Sequence, residues 1–112
     1  MAAPAEGLKA LRVAVAGLAD AATNVPAGSA LASDVEVIGR RLGDVDTLLE
    51  PATAGPDAMA PAVRSARHDL MNALGAIDNH AELILEDGGP SAAGAVRAAV
   101  ADLVAAVRPV AG

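Results

Sequence analysis

His68 stands directly before Asp69 and one helical turn before Asn72, in the run Arg67-His68-Asp69-Leu70-Met71-Asn72-Ala73-Leu74-Gly75-Ala76-Ile77. An imidazole with an unperturbed pKa of about 6.5 is largely neutral at pH 7. Its ring-nitrogen lone pair can attack phosphorus, while a carboxylate at the other nitrogen stabilises the cation that forms. At about 100° per helical residue, His68, Asn72, Gly75 and Asn79 fall on one face, and Leu70, Leu74 and Ile77 lie away from it. His68 is therefore expected to face solvent. Arg64, one turn earlier, could pair with phosphate oxygens, although an exposed helical arginine is ordinarily just solvated.

Other chemistries find little support. His80 follows His68 by twelve residues, a rotation of about 120°, so the two cannot share a metal site on one helix face. Beside Asn79 and Glu82, His80 reads as a solvated polar residue. Zinc-protease, phosphate-loop and serine-triad patterns are missing, and without cysteine there is no thiolate ligand or nucleophile. No cofactor or metal is expected. Gly75 is an unusual choice for a helix interior, where glycine costs about 0.5–1 kcal/mol relative to alanine. Either a partner approaches closely there, or an alanine- and glycine-rich chain simply tolerates it.

The elements that must position these residues follow from composition and periodicity. The 112 residues include no aromatic side chain, and 54% are hydrophobic. Small aliphatic side chains fill narrow helix–helix seams well, and the alanine load favours helix. The expectation is an all-α fold with four helices. Leu8, Leu11, Val15, Leu18 and Ala22 alternate at steps of three and four, as a helix–helix seam requires. A second helix carries Leu31, Val35, Ile38, Leu42, Val45 and Leu49, with Ser33 read as its N-cap and Glu36 completing a capping box.

Pro51, Gly55 and Pro56 make a stiff connector. The third helix spans about residues 58–87, with Pro61 in its first turn and Val63, Leu70, Leu74, Ile77, Ala81 and Ile84 as its seam. Gly88-Gly89-Pro90 stops it and Ser91 caps a fourth helix, whose seam of Val96, Val100, Leu103 and Val107 runs until Pro109. The short turn makes the last two helices an antiparallel hairpin. Two segments result, a heptad-patterned pair over 1–54 and the hairpin over 57–112. Four such seams suggest a four-helix bundle, which the chain could close alone or the hairpin could close with a second copy; a hairpin buries its faces poorly by itself, so homodimerisation is the favoured expectation.

A net charge of −6 without aromatic stacking platforms argues against nucleic-acid binding. No apolar run is long enough to span a bilayer and no leader segment is evident, so the expected location is the cytoplasm.

The box around His68 resembles the phosphoacceptor box of bacterial sensor histidine kinases, written roughly H-[ED]-x-x-[NT]-P-L-x-x-I. His68, Asp69, Asn72, Leu74 and Ile77 match in order and spacing, and Ala81-Glu82-Leu83-Ile84-Leu85-Glu86 is similar to the common continuation. Ala73 replaces the usual proline and Met71 a common cation. The resemblance, over about residues 58–110, implies a dimerisation and histidine-phosphotransfer domain of a two-component pathway. It implies that His68 exchanges phosphate with a receiver-domain aspartate of a response regulator, that Asp69 holds the Nδ1 proton while Nε2 takes the phosphoryl group, and that Asn72 helps position water. Nothing in the chain resembles the family's ATP-binding boxes, so a kinase domain would act in trans. The alternative is a degenerate relative that only dimerises and positions attached domains, a reading that the missing proline favours.

Overall fold

The computed structural model describes residues 4–23, 25–26, 28–49 and 56–111. Four helices follow one another, α1 (Pro4–Ala21), α2 (Ala30–Leu49), α3 (Pro56–Glu86) and α4 (Ala92–Ala111), with no strand among the described residues. At about 1.5 Å per residue, the 31 residues of α3 account for the full 44 Å long axis of the molecule.

The bundle is organised by the seams. Leu8, Leu11, Val15 and Leu18 of α1, Ile38, Val45 and Leu49 of α2, Leu70, Leu74, Ile77, Ala81 and Ile84 of α3, and Val96, Val100, Leu103 and Val107 of α4 are buried in one continuous core. Segments 1–54 and 57–112 thus share that core. Leu31, Val35 and Leu42 pack against it half-buried. The connector at residues 50–55 lies outside the described residues, and so does the side chain of Val63 within α3.

α2 lies along α3, α3 along α4 and α4 along α1, whereas α1 and α2 meet over a much thinner contact. Across that thin seam Arg12 Nε donates to Asp46 Oδ1 at 2.7 Å. An exposed ion pair of this kind contributes little stability. α1 and α2 therefore hold their places through α4 and α3 rather than through each other. No buried side chain among the described residues is polar or charged, so apolar burial, worth about 1.5–3 kcal/mol for each large side chain, is the main cohesive force.

Three helix ends differ from the sequence expectation. α2 begins three residues before Ser33, and Ser29 is its cap: the Ser29 hydroxyl accepts the Ala32 amide N–H at 3.1 Å. Ser33 lies inside the helix, its own N–H donating to the Ser29 carbonyl. Serine three residues before an amide satisfies one orphan donor of the first turn; Gly28, with φ +87°, turns the chain into that cap. α3 begins at Pro56, so Pro56 takes the first helical position and Pro61 sits in the second turn. α4 continues through Pro109 to Ala111.

The expected stop after α3 is a complete Schellman motif. Gly88, at φ +76°, donates its N–H to the Leu85 carbonyl at 3.1 Å, and the Gly89 N–H reaches the Ile84 carbonyl at 2.8 Å. A methyl group on Gly89 would stand 2.7 Å from Ile84 Cγ2 and 2.9 Å from the Ile84 carbonyl oxygen, while one on Gly75 would meet nothing within 4 Å. Gly89→Ala should therefore destabilise the bundle by about 1–3 kcal/mol, and Gly75→Ala should stabilise it by about 0.5–1 kcal/mol. Urea unfolding of the two variants checks both signs.

Candidate functional site

α3 carries the candidate residues on a ridge. Leu70, Ala73, Leu74 and Ile77 are buried against the neighbouring helices, and this fixes the rotation of α3 about its axis. His68, Asn72, Gly75 and Asn79 consequently face outward and are exposed, together with Asp69 and Arg64.

His68 Nε2 and Asn72 Nδ2 are 3.3 Å apart. With the amide nitrogen as donor, Nε2 is the acceptor and the ring proton resides on Nδ1. One turn of helix is what sets this contact, since side chains four residues apart are neighbours on a helix surface. Among the described residues, the hydrogen bond of His68 is this one. Asp69, the next residue along, is rotated about 100° away and lines a groove between α2 and α3 with Arg41, Asp44, Thr47, Leu48, Asn72 and Ala73. The site thus has an amide at Nε2 and a carboxylate one position aside, directed toward α2.

A second groove lies on the other flank of the ridge, between α3 and α4. Met71, Leu74, Val100, Ala101 and Val104 make its apolar lining, with Asp78 and Arg97 toward one end and Arg108 also at its wall. Arg97 Nε donates to Asp78 Oδ1 at 3.0 Å, and its NH2 group lies 4.0 Å from Glu82. The Asp78 hydrogen bond, and then the charges of Asp78, Glu82 and Glu86, raise the Arg97 pKa above its ordinary value. This cation is committed to α3–α4 packing.

His80 is a correction. Instead of standing in solvent, it reaches α2, where Nδ1 lies 2.9 Å from Asp34 Oδ1; both side chains are largely covered. The partner is 46 residues away, and no local spacing announces it. Asp34, which the capping-box reading placed beside a helix end, lies past the first turn of α2 and tethers α2 to α3. Arg41 and Asp44 were also not singled out from sequence. Their NH1–Oδ2 contact of 3.4 Å is an i,i+3 pair on the side of α2 next to α3, a signal that becomes meaningful only once the two helices are docked.

Ala73, at the place where the resembled box carries proline, is 2% exposed and borders α2. An alanine keeps α3 regular and lets α2 approach. Ala73→Pro would remove a backbone hydrogen bond and press its ring into that boundary, costing about 3 kcal/mol or more; a thermal midpoint equal to wild type would show that α2 does not depend on this contact. Removing the amide tests the other contact. Asn72→Ala should shift His68 toward the Nε2-protonated tautomer, seen as a change in its imidazole ¹⁵N shifts, while the His80 signals stay in place.

Among the described residues, no group of three or more acidic or histidine side chains is arranged to hold a metal ion, and no described helix is long and apolar enough to cross a membrane. Comparison with protein-family models, with curated proteins and with solved structures finds no match to this chain.

Proposed function

We propose that this chain is a helical phosphotransfer module of a two-component pathway, in which His68 exchanges a phosphoryl group with an aspartate of a receiver domain. The observation that carries this reading is the exposed His68–Asn72 pair on a four-helix bundle, with Nε2 accepting from the amide at 3.3 Å. That hydrogen bond favours the tautomer in which Nδ1 holds the proton and the Nε2 lone pair is the nucleophile. An exposed position on a rigid helix is also where a second protein can bring a reactive phosphate in line.

In the proposed reaction the Asn72 amide swings aside and Nε2 attacks the phosphorus of the receiver's acyl phosphate. The Nε2–P bond forms as the P–O bond to the aspartate breaks, and the electron pair leaves with the carboxylate oxygen. The cationic ring then releases its Nδ1 proton to water or to Asp69, which stands one residue along. The reverse sequence returns phosphate to the receiver. A kinase domain acting in trans would supply phosphate to the same nitrogen.

Proposed with it is an antiparallel α3–α4 hairpin joined by the Gly88-Gly89 turn, in a cytoplasmic protein. The seam that such a hairpin would offer to a second copy is covered here by α1 and α2 of the same chain. This supports a self-contained bundle as the working unit. Light scattering at the mass of one chain agrees with that reading, whereas a stable dimer would restore the paired-hairpin arrangement.

The second reading is a scaffold that positions attached domains without carrying phosphate. It is favoured by Ala73, whose burial ties α3 to α2 where the resembled family has a helix bend. One experiment separates the two. A receiver domain phosphorylated with radioactive phosphate is mixed with the wild-type chain and with His68→Ala. Acid-labile, base-stable label on wild type, and its loss in His68→Ala, are expected; no label on wild type leaves the scaffold.

A further inference from the structure

We propose that Arg41 of α2 is the cation that meets the phosphoryl oxygens on Nε2 of His68, so that the α2–α3 groove belongs to the phosphoacceptor site. The inference rests on the phosphotransfer reading and adds to it a residue from outside the sequence box.

The argument begins with which ring nitrogen is engaged. Nε2 is the atom beside Asn72, at 3.3 Å, and Asn72 also lines the groove that contains Arg41, Asp44 and Asp69. Asn72 is thus the link between His68 and that groove, and a phosphoryl group on Nε2 would take the side of the ring that this amide occupies. Asp44 and Asp69 border the same space, and two carboxylates repel a phosphoryl dianion unless a cation stands with them. Arg64, the cation suggested by sequence, lies one turn along α3 in the direction opposite to Asn72. Arg41 is on the Asn72 side.

Arg41 is also free to move. Its guanidinium holds Asp44 at 3.4 Å, with both side chains at least half exposed. Such a pair is weak, and a dianion with three oxygens competes well for a planar group that has five donors. Thr47 is less available, because its hydroxyl already donates to the Gly43 carbonyl at 3.0 Å. In the resting chain Asp44 therefore parks Arg41 beside the groove, and the arriving phosphate draws it over.

The test uses the full chain and phosphoramidate as a partner-free phosphodonor. The Nε2–P bond forms, the donor's P–N bond breaks, and its electron pair leaves with the nitrogen as ammonia. Labelling of His68 is followed by ³¹P NMR and assigned by mass spectrometry. Loss of one charge-assisted contact predicts about tenfold slower labelling in Arg41→Ala. Partial recovery is expected in Arg41→Lys, which keeps the charge but not the fork. Asp44→Asn should label faster than wild type, and Arg40→Ala, which removes the adjacent charge, should label at the wild-type rate.

Equal rates in Arg41→Ala and wild type would overturn the assignment, and so would equal slowing in Arg40→Ala and Arg41→Ala, which would mean only a long-range field. Thermal melts of each variant separate these outcomes from misfolding. If His68 takes label from a phosphorylated receiver while Arg41→Ala changes nothing, the Arg41 assignment alone falls. If wild-type His68 takes no label from either donor, both proposals fall together.

Discussion

A core without any aromatic ring can be filled only by bringing helices close together, and the rest of this molecule is arranged around that requirement. Ala73, Ala81, Ala93, Ala99 and Ala106 are buried alongside the larger aliphatic residues. They let backbones approach where a leucine would hold them apart. Gly7 marks one close approach of α1 to α4: a methyl group there would stand 3.1 Å from Leu103 Cδ1 and 3.2 Å from its Cα. Interiors are packed as densely as organic crystals, so small side chains translate directly into short interhelical distances. The order of the helices around the bundle, the rotation of each one and the exposure of His68 all follow from satisfying that constraint.

The rotation of α3 links packing to chemistry. Three neighbours compete for its surface: α2 on one flank, α4 on the other, and the shared core between them. What remains is a narrow outward ridge, and His68, Asn72, Gly75 and Asn79 occupy it. Each flank then acquires its own character. Toward α4 the boundary is apolar, with the Arg97–Asp78 pair toward one end. Toward α2 it is polar, with movable side chains. The ridge that carries His68 therefore runs between an apolar groove and a polar one.

Much of this was legible in advance because seams and helix faces are local properties. The alternating steps Leu8, Leu11, Val15, Leu18 and Leu70, Leu74, Ile77, Ile84 all lie in the core, and the same rotation puts His68 outside. The Gly88-Gly89 stop was readable for a similar reason, since only glycine takes a positive φ without strain. The errors at helix ends were also local in origin. Ser29 and Ser33 lie on the same side of one helix start, and choosing between them depends on where the chain leaves the preceding turn, which Gly28 decides. Pro56 and Pro61 posed the same ambiguity at the start of α3, and the earlier proline took the first helical position.

The sequence by itself determined the four helices, their buried stripes and the outward placement of the His68-Asp69-x-x-Asn72 box, because each depends on the 3.6-residue period of one helix. Tertiary structure alone decided what surrounds that box. His80 meets Asp34 across 46 residues, Arg41 and Asp44 arrive beside Asp69 and Asn72, and α1 and α2 share one core with α3 and α4. Those relations depend on which helix docks against which flank and at what height. That choice is made by the fit of side chains from distant segments, and no periodicity within one helix records it.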